Sequence, residues 1–254
     1  MPEHRFHTPE PVELEVKIPA GDVEIQTVDG EESLVIIEGS ERLLEQMNVE
    51  LRDNRLVVEY QGKRGFGISI SIGDFGFGNG KLRVQAQVPH GSGAMLATAA
   101  ADMMLRGRFA ALETKSASGD LVLSGEVERD ATIKTVSGDA VLGHVGGELR
   151  VQSVSGDVMA RSVGGSVQTK TVSGDVRLGS VREGQVTVQS VSGDIEIGVP
   201  AGTSLDVDAG SVSGDLASEV PLGSEPGAAQ GEGPTLVLRG KTVSGDFRVV
   251  RARQ

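Results

Sequence analysis

The sequence predicts an all-β protein, a right-handed parallel β-solenoid (β-helix) with rungs of about 18 residues. Three observations carry this. First, the pentapeptide SVSGD, with the variants TVSGD and SASGD, occurs seven times. Its copies end at Asp120, Asp139, Asp157, Asp175, Asp194, Asp215 and Asp246, in steps of 19, 18, 18, 19, 21 and 31 residues. Eighteen residues at about 3.3 Å each trace roughly 60 Å, which suits one turn of a coil with two or three short strands. Second, apolar residues alternate on both sides of the pentapeptide. Counted from each Asp, position +1 is Leu121, Ala140, Val158, Val176, Ile195, Leu216 and Phe247. Position +3 is Leu123, Leu142, Ala160, Leu178, Ile197, Ser218 and Val249, and −3 is Val in every copy but Ala117. Leu149 and Val151, or Val186 and Val188, hold −8 and −6. Stacked rungs would line these columns, −3 included, into one apolar core. Third, Gly119, Gly138, Gly156, Gly174, Gly193, Gly214 and Gly245 precede the seven Asp residues. Glycine alone enters positive φ without a side-chain penalty, as a sharp corner between strands requires.

The elements follow in order. Residues 1–11 are polar and Pro-rich and read as a loose lead-in, with His4 and His7 in it. Val12 to Ile18 alternates as a strand ending at Pro19, and Ala20 to Ile25 is a worn copy of the repeat corner. Leu34 to Ile37 is a second strand. Ser40 to Asn48 is the one candidate helix, with Ser40 as N-cap and Leu43, Leu44 and Met47 on one side. Strands follow at Asn48 to Leu51, Leu56 to Tyr60 and Lys81 to Pro89. Met95 to Leu105 holds a degenerate rung, with Asp102 one period of 18 residues before Asp120. Gly146-Gly147 and Gly164-Gly165 mark a second corner. Insertions of about three residues near Pro200 to Ser204 and about 13 around Pro221 to Pro234 interrupt the rhythm, the second read as a mobile loop. A last rung at Lys241 to Val250 is expected to close the stack, with the terminal RARQ capping its edge by charge. The organisation is therefore an irregular β-rich part over 1–90, continuous with a solenoid over 91–254 that carries a flexible insertion at about 221–234.

Composition narrows the function classes. A net charge of −12 argues against nucleic acid and anionic membranes as partners. With no Cys, the sequence offers no disulfide, thiol nucleophile or thiolate metal site. No signal peptide or apolar run of membrane-spanning length is seen, so a cytoplasmic location is the default expectation.

The chemistry-bearing residues lie in columns. The Asp file, from Asp102 to Asp246, would stack carboxylates about 4.8 Å apart, repelling by about 1 kcal/mol in water. The reading favoured is that each carboxylate caps amides of its own corner. A calcium ladder is the alternative, although such rolls need more Gly-rich turns around each Asp. Position −5 holds Lys115, Lys134, Gln152, Lys170, Gln189, Gly210 and Lys241, expected to face solvent. Whether Ser or Thr at −4 faces in or out stays open. Residues 61–80 are rich in Gly and hold Phe66, Ile68, Ile70, Ile72, Phe75 and Phe77, read either as a β-hairpin folded back on the coil or as an exposed apolar finger that is a candidate interaction site. The four His are scattered, and no catalytic set, cofactor motif or metal-ligand spacing emerges.

The repeated VSGD rungs, preceded by the alternating strand ending at Val88-Pro89, resemble the putative-adhesin family of β-strand-repeat proteins, domain of unknown function 4097. The resemblance spans roughly residues 12–250 and implies a β-solenoid with no defined catalytic residue. The expected function is a non-enzymatic scaffold or adhesin-like interaction module with an unknown protein partner or self-association. The alternatives are a structural protein that polymerises end to end and a calcium-binding β-roll.

Overall fold

The computed structural model describes residues 2–62, 82–220 and 234–252. The first part comprises β1 (Glu3–His7), β2 (Glu13–Val28), β3 (Glu32–Glu38), α1 (Glu41–Leu44), β4 (Met47–Arg52), β5 (Arg55–Tyr60), β6 (Arg83–Pro89) and β7 (Gly93–Phe109). Rungs follow in pairs of strands: β8 (Leu112–Ser118) and β9 (Leu121–Val127), β10 (Ala131–Thr135) and β11 (Ala140–Val145), β12 (Leu149–Gln152) and β13 (Val158–Val163). Then come β14 (Val167–Lys170) and β15 (Val176–Leu178), β16 (Gly184–Gln189) and β17 (Ile195–Val199), β18 (Ser204–Ser213) and β19 (Leu216–Ser218), and β20 (Thr235–Ser244) and β21 (Phe247–Arg251).

The strands form a β-solenoid of two faces joined at the SGD corner. One face runs β4-β5-β2-β7-β8-β10-β12-β14-β16-β20-β18. The other runs β1-β3-β6-β2-β7-β9-β11-β13-β15-β17-β21-β19. All pairings are parallel except β1–β3, β3–β6 and β4–β5. The long strands β2 and β7 turn the corner and contribute to both faces. The worn corner is a true one, since Asp22 lies in register with Asp102.

Corner geometry explains the invariant Gly. Gly138 has φ 122°, and a Cβ there would lie 2.3 Å from the carbonyl oxygen of Gly119 in the rung beneath. Both the conformation and the close approach exclude a side chain. At the second corner only close approach operates: φ at Gly164 is ordinary, but a Cβ would lie 2.5 Å from the Gly146 carbonyl oxygen.

Inside, columns −8, −6, +1 and +3 are buried along the regular rungs, as in Leu149, Val151, Val158 and Ala160. They line one apolar core. The alternation runs on one step further than expected. Ser153, Thr171, Ser190 and Thr242 at −4 are buried, and each donates its hydroxyl to the carbonyl of the Ser two residues on. The valines at −3 therefore point out, and are not part of the core. Strand pleating forces this, because the register does not break between −4 and −3.

Four other expectations change. The lead-in is not loose: β1, with His4 and His7, pairs antiparallel with β3. The helix shrinks to one turn without a side-chain cap from Ser40, and Met47 already belongs to β4. Nine residues with an Asn stop are too few to outweigh strand pairing with β5. Pro19 does not end its strand, since β2 continues to Val28. Finally, the last rung in sequence is not last in space. β20 and β21 sit directly on β16 and β17, and β18 and β19 stack outside them. The chain skips a level after Val199, then returns to fill it, so Arg251 lies beside Val199 and not on the outer edge; the end of RARQ lies outside the described residues. The inserted loop falls almost wholly outside the described residues.

Among the described residues, the buried hydroxyls of Thr98, Thr114 and Thr169 have no hydrogen-bond partner. Thr169 lies in register between Val151 and Val188. Thr169→Val keeps the shape and removes the unpaired hydroxyl, so it should stabilise by about 1–2 kcal/mol. An unchanged or lower midpoint of urea unfolding would contradict this account of the core.

Candidate interaction surface

The sequence-predicted ladder is assembled as a vertical file. The Oδ1 atom of Asp102 accepts the backbone N–H of Asp120 at 3.0 Å, and Asp120 accepts that of Asp139 at 2.9 Å. The pattern continues from Asp139 to Asp157, Asp157 to Asp175, Asp175 to Asp194, Asp194 to Asp246 and Asp246 to Asp215. From Asp102 to Asp246 along the stack, each carboxylate thus caps the next rung's corner and not its own. The reason lies in the Gly turn, which tilts the following amide out of the ordinary carbonyl ladder and toward the neighbouring side chain. The ladder resumes at once, with Leu121 N–H donating to the Asp139 carbonyl at 2.8 Å.

Two Asp residues hold a second partner: Arg177 reaches Oδ2 of Asp175, and Arg248 reaches Oδ2 of Asp246, both at 2.8 Å. The Asp215 amide, and then the Arg248 guanidinium, hold the Asp246 carboxyl below the ordinary carboxylate value. Among the described residues no group of three or more His, Asp or Glu is arranged to hold a metal ion. His144 hydrogen-bonds Ser162, while His90 meets Thr27 and Asp29.

Beside this file lie two others on the upstream face. At −5, Lys115, Lys134, Gln152, Lys170, Gln189 and Lys241 are exposed, as expected. Lys115 pairs with Glu113, whereas Lys134, Lys170 and Lys241 form no ion pair among the described residues. At −3, Val136, Val154, Val172, Val191 and Val243 are each 48–53% exposed. They occupy successive rungs, since the Ser after each Val bridges Ser137, Ser155, Ser173, Ser192 and Ser244 in turn. Five valines at about 4.8 Å spacing make an apolar strip about 20 Å long. Sequence reasoning counted them as core and so missed this strip. The signal was there: Ser or Thr at −4 continues the inward series −8, −6.

A groove of about 130 Å³ lies on the other face, among Leu34, Ile36, Gln85, Gln87, Met104 and Arg106. Gln85 donates to Glu24 at its floor. The candidate finger, Phe66, Ile68, Ile70, Ile72, Phe75 and Phe77, lies outside the described residues. No helix of the described residues is long and apolar enough to cross a membrane.

A family model described as Toastrack DUF4097 matches residues 12–249. No curated protein matches the sequence. Among solved structures, a putative adhesin from Bacteroides fragilis superposes with a TM-score of 0.58 at 14% identity, covering 97% of this chain and 95% of that one. A putative lipid binding protein from Parabacteroides distasonis gives a TM-score of 0.55 at 13% identity, covering 98% and 96%. At such identities the likeness is one of fold.

The corner bonds give a graded expectation. Asp157→Ala leaves the Asp175 amide without its acceptor and should cost about 1–2 kcal/mol. Asp157→Asn keeps an acceptor oxygen and relieves like-charge repulsion, so it should cost less than half as much. Equal losses in urea unfolding would refute the capping role. At Asp246 the depressed value means that stabilisation is complete above the ordinary carboxylate range. It is lost as pH falls through the lower folded value.

Proposed function

The chain belongs to the Toastrack DUF4097 family, and from that premise we propose that it is a non-enzymatic interaction module that engages a protein partner along its valine file. The carrying observation is the half exposure of Val136, Val154, Val172, Val191 and Val243 in consecutive rungs. A contiguous apolar strip rimmed by polar side chains is a common mark of a protein contact surface. Here the rim is the Lys and Gln file on one side and Ser on the other. A flat strip of this kind offers contact and leaves no cleft to enclose a substrate.

Two features support the non-enzymatic half of the reading. The Asp carboxylates of the corners from Asp102 to Asp246, Asp215 apart, each accept an amide of the neighbouring rung, at equivalent positions. The groove near Arg106 is also small beside ligand pockets of about 300–1,000 Å³. The relative named a putative adhesin carries a name for contact, which accords with this reading.

The test replaces Val154 and Val172 together by Lys. Both side chains are half exposed, so the fold should hold and the melting temperature should shift little. Partners captured from native lysate by the wild-type chain should fall by about tenfold or more. A control substitution on the opposite face, Met159→Lys, should leave them in place. A captured set unchanged by the valine substitutions would overturn the proposal.

A further inference from the structure

The stack ends on the rung of Asp215. There β18 is paired only with β20, and β19 only with β21, among the described residues. Their outer edges present a row of unpaired backbone donors and acceptors. Every earlier Asp from Asp102 to Asp246 in the file receives an amide, but none is recorded for the Asp215 carboxylate among the described residues. Val212 is 83% exposed and Leu216 54%, against 49% and 2% for Val243 and Phe247 one level beneath. Leu205, Val207 and Ala209 pack on the core yet stay partly open.

The other end is built differently. Leu43 and Leu44 of α1 pack against the core, and the outer strands β1 and β4 are antiparallel additions. β1 is five residues long and carries exposed Glu3 and Arg5, which blunts its edge.

We infer that the Asp215 end binds a second copy of this chain, tail to tail, about a two-fold axis. Such an axis sets β18 antiparallel to its twin. Inward side chains stay inward only if the paired residue numbers sum to an even number. A register centred on Ala209 meets this condition. It sets Val207 against Ser211 inside, Leu205 against the exposed Ser213 at the corner, and Asp206 against Val212 and Asp208 against Gly210 outside. No two carboxylates oppose one another. Centring on Asp208 would oppose that residue to itself. This register is self-complementary, and a contact about a two-fold axis uses the same edge of both copies, so it closes at two. It also brings each SGD corner over the partner's opposite corner, which keeps the two Asp files apart.

The rung from Ser204 to Ser218 supplies fewer residues than the roughly 20–30 a side of a standard interface, so the dimer is weak. Each chain carries −12, so added salt strengthens association by screening repulsion.

This surface meets the valine file only at Val212, which lies over Val243, and the test keeps the two apart. The chain has no Cys, so Ala209→Cys places a single thiol on the axis, where opposed Cβ atoms approach to about 5 Å. Under mild oxidation it should form a covalent dimer at least about tenfold faster than Val154→Cys, whose thiol sits on the valine file. Sedimentation equilibrium of the wild-type chain should show monomer and dimer with a Kd between about 10 µM and 1 mM, tightening from low to moderate salt. Ala209→Lys, which puts an inward charge at the axis, should abolish the dimer while retaining partner capture. Equal cross-linking at both positions, a monomer at millimolar concentration, or species growing beyond two would each overturn the inference.

Discussion

The structure depends on rungs lying flush at one corner. In the seven regular rungs flush stacking there calls for a residue without a side chain, and the Gly turn supplies it while turning the next amide away from the carbonyl ladder. The Asp that follows repairs the defect one level away. Carboxylates about 4.8 Å apart repel by about 1 kcal/mol in water and about 3–4 kcal/mol at an effective dielectric of 20. A hydrogen bond to a charged acceptor contributes about 1.5–3 kcal/mol, the same order. The file is therefore tolerable because each charge is spent on an amide of its neighbour, with Arg177 and Arg248 adding local relief.

This logic explains which parts of the fold could be read from residues alone. The solenoid was legible because a single rule, repeated seven times, sets turn, register and inward columns together. The face of −3 was not, because Val is the commonest signal of burial. Only the hydroxyl at −4, buried and bonded to its own corner, shows that the inward series passes through Ser and Thr. The strand at Glu3 to His7 escaped notice because its partner, β3, lies some 30 residues away and its polar composition reads as tail. The level skipped after Val199 was visible only as two odd spacings, 21 and 31. Spacing reports how much chain lies between corners and says nothing about the order in which they are stacked.

The candidate surface was legible in part. The Lys and Gln file was placed outside from its polarity, and the structure puts it there. The valine file beside it required the strand pleat, which a list of apolar positions does not contain. The two files together give one face an apolar seam bordered by ammonium groups, of which Lys134, Lys170 and Lys241 form no ion pair among the described residues, on a chain whose total charge is strongly negative. Charge is therefore unevenly spread: carboxylates gather at the corner and cations on the upstream sheet.

The exchange of the final two levels bears on how the coil is made. Winding from β7 onward lays each new turn on the one before it, as far as the turn of Asp194. The next stretch to emerge cannot be laid down in the same manner, for its bed does not yet exist. Ser204 to Ser218 must wait, or rest provisionally, until Thr235 to Arg251 has slid beneath it. Completion is thus a clasp and not a further winding, and a nascent chain halted between these two segments would carry an unfastened tail.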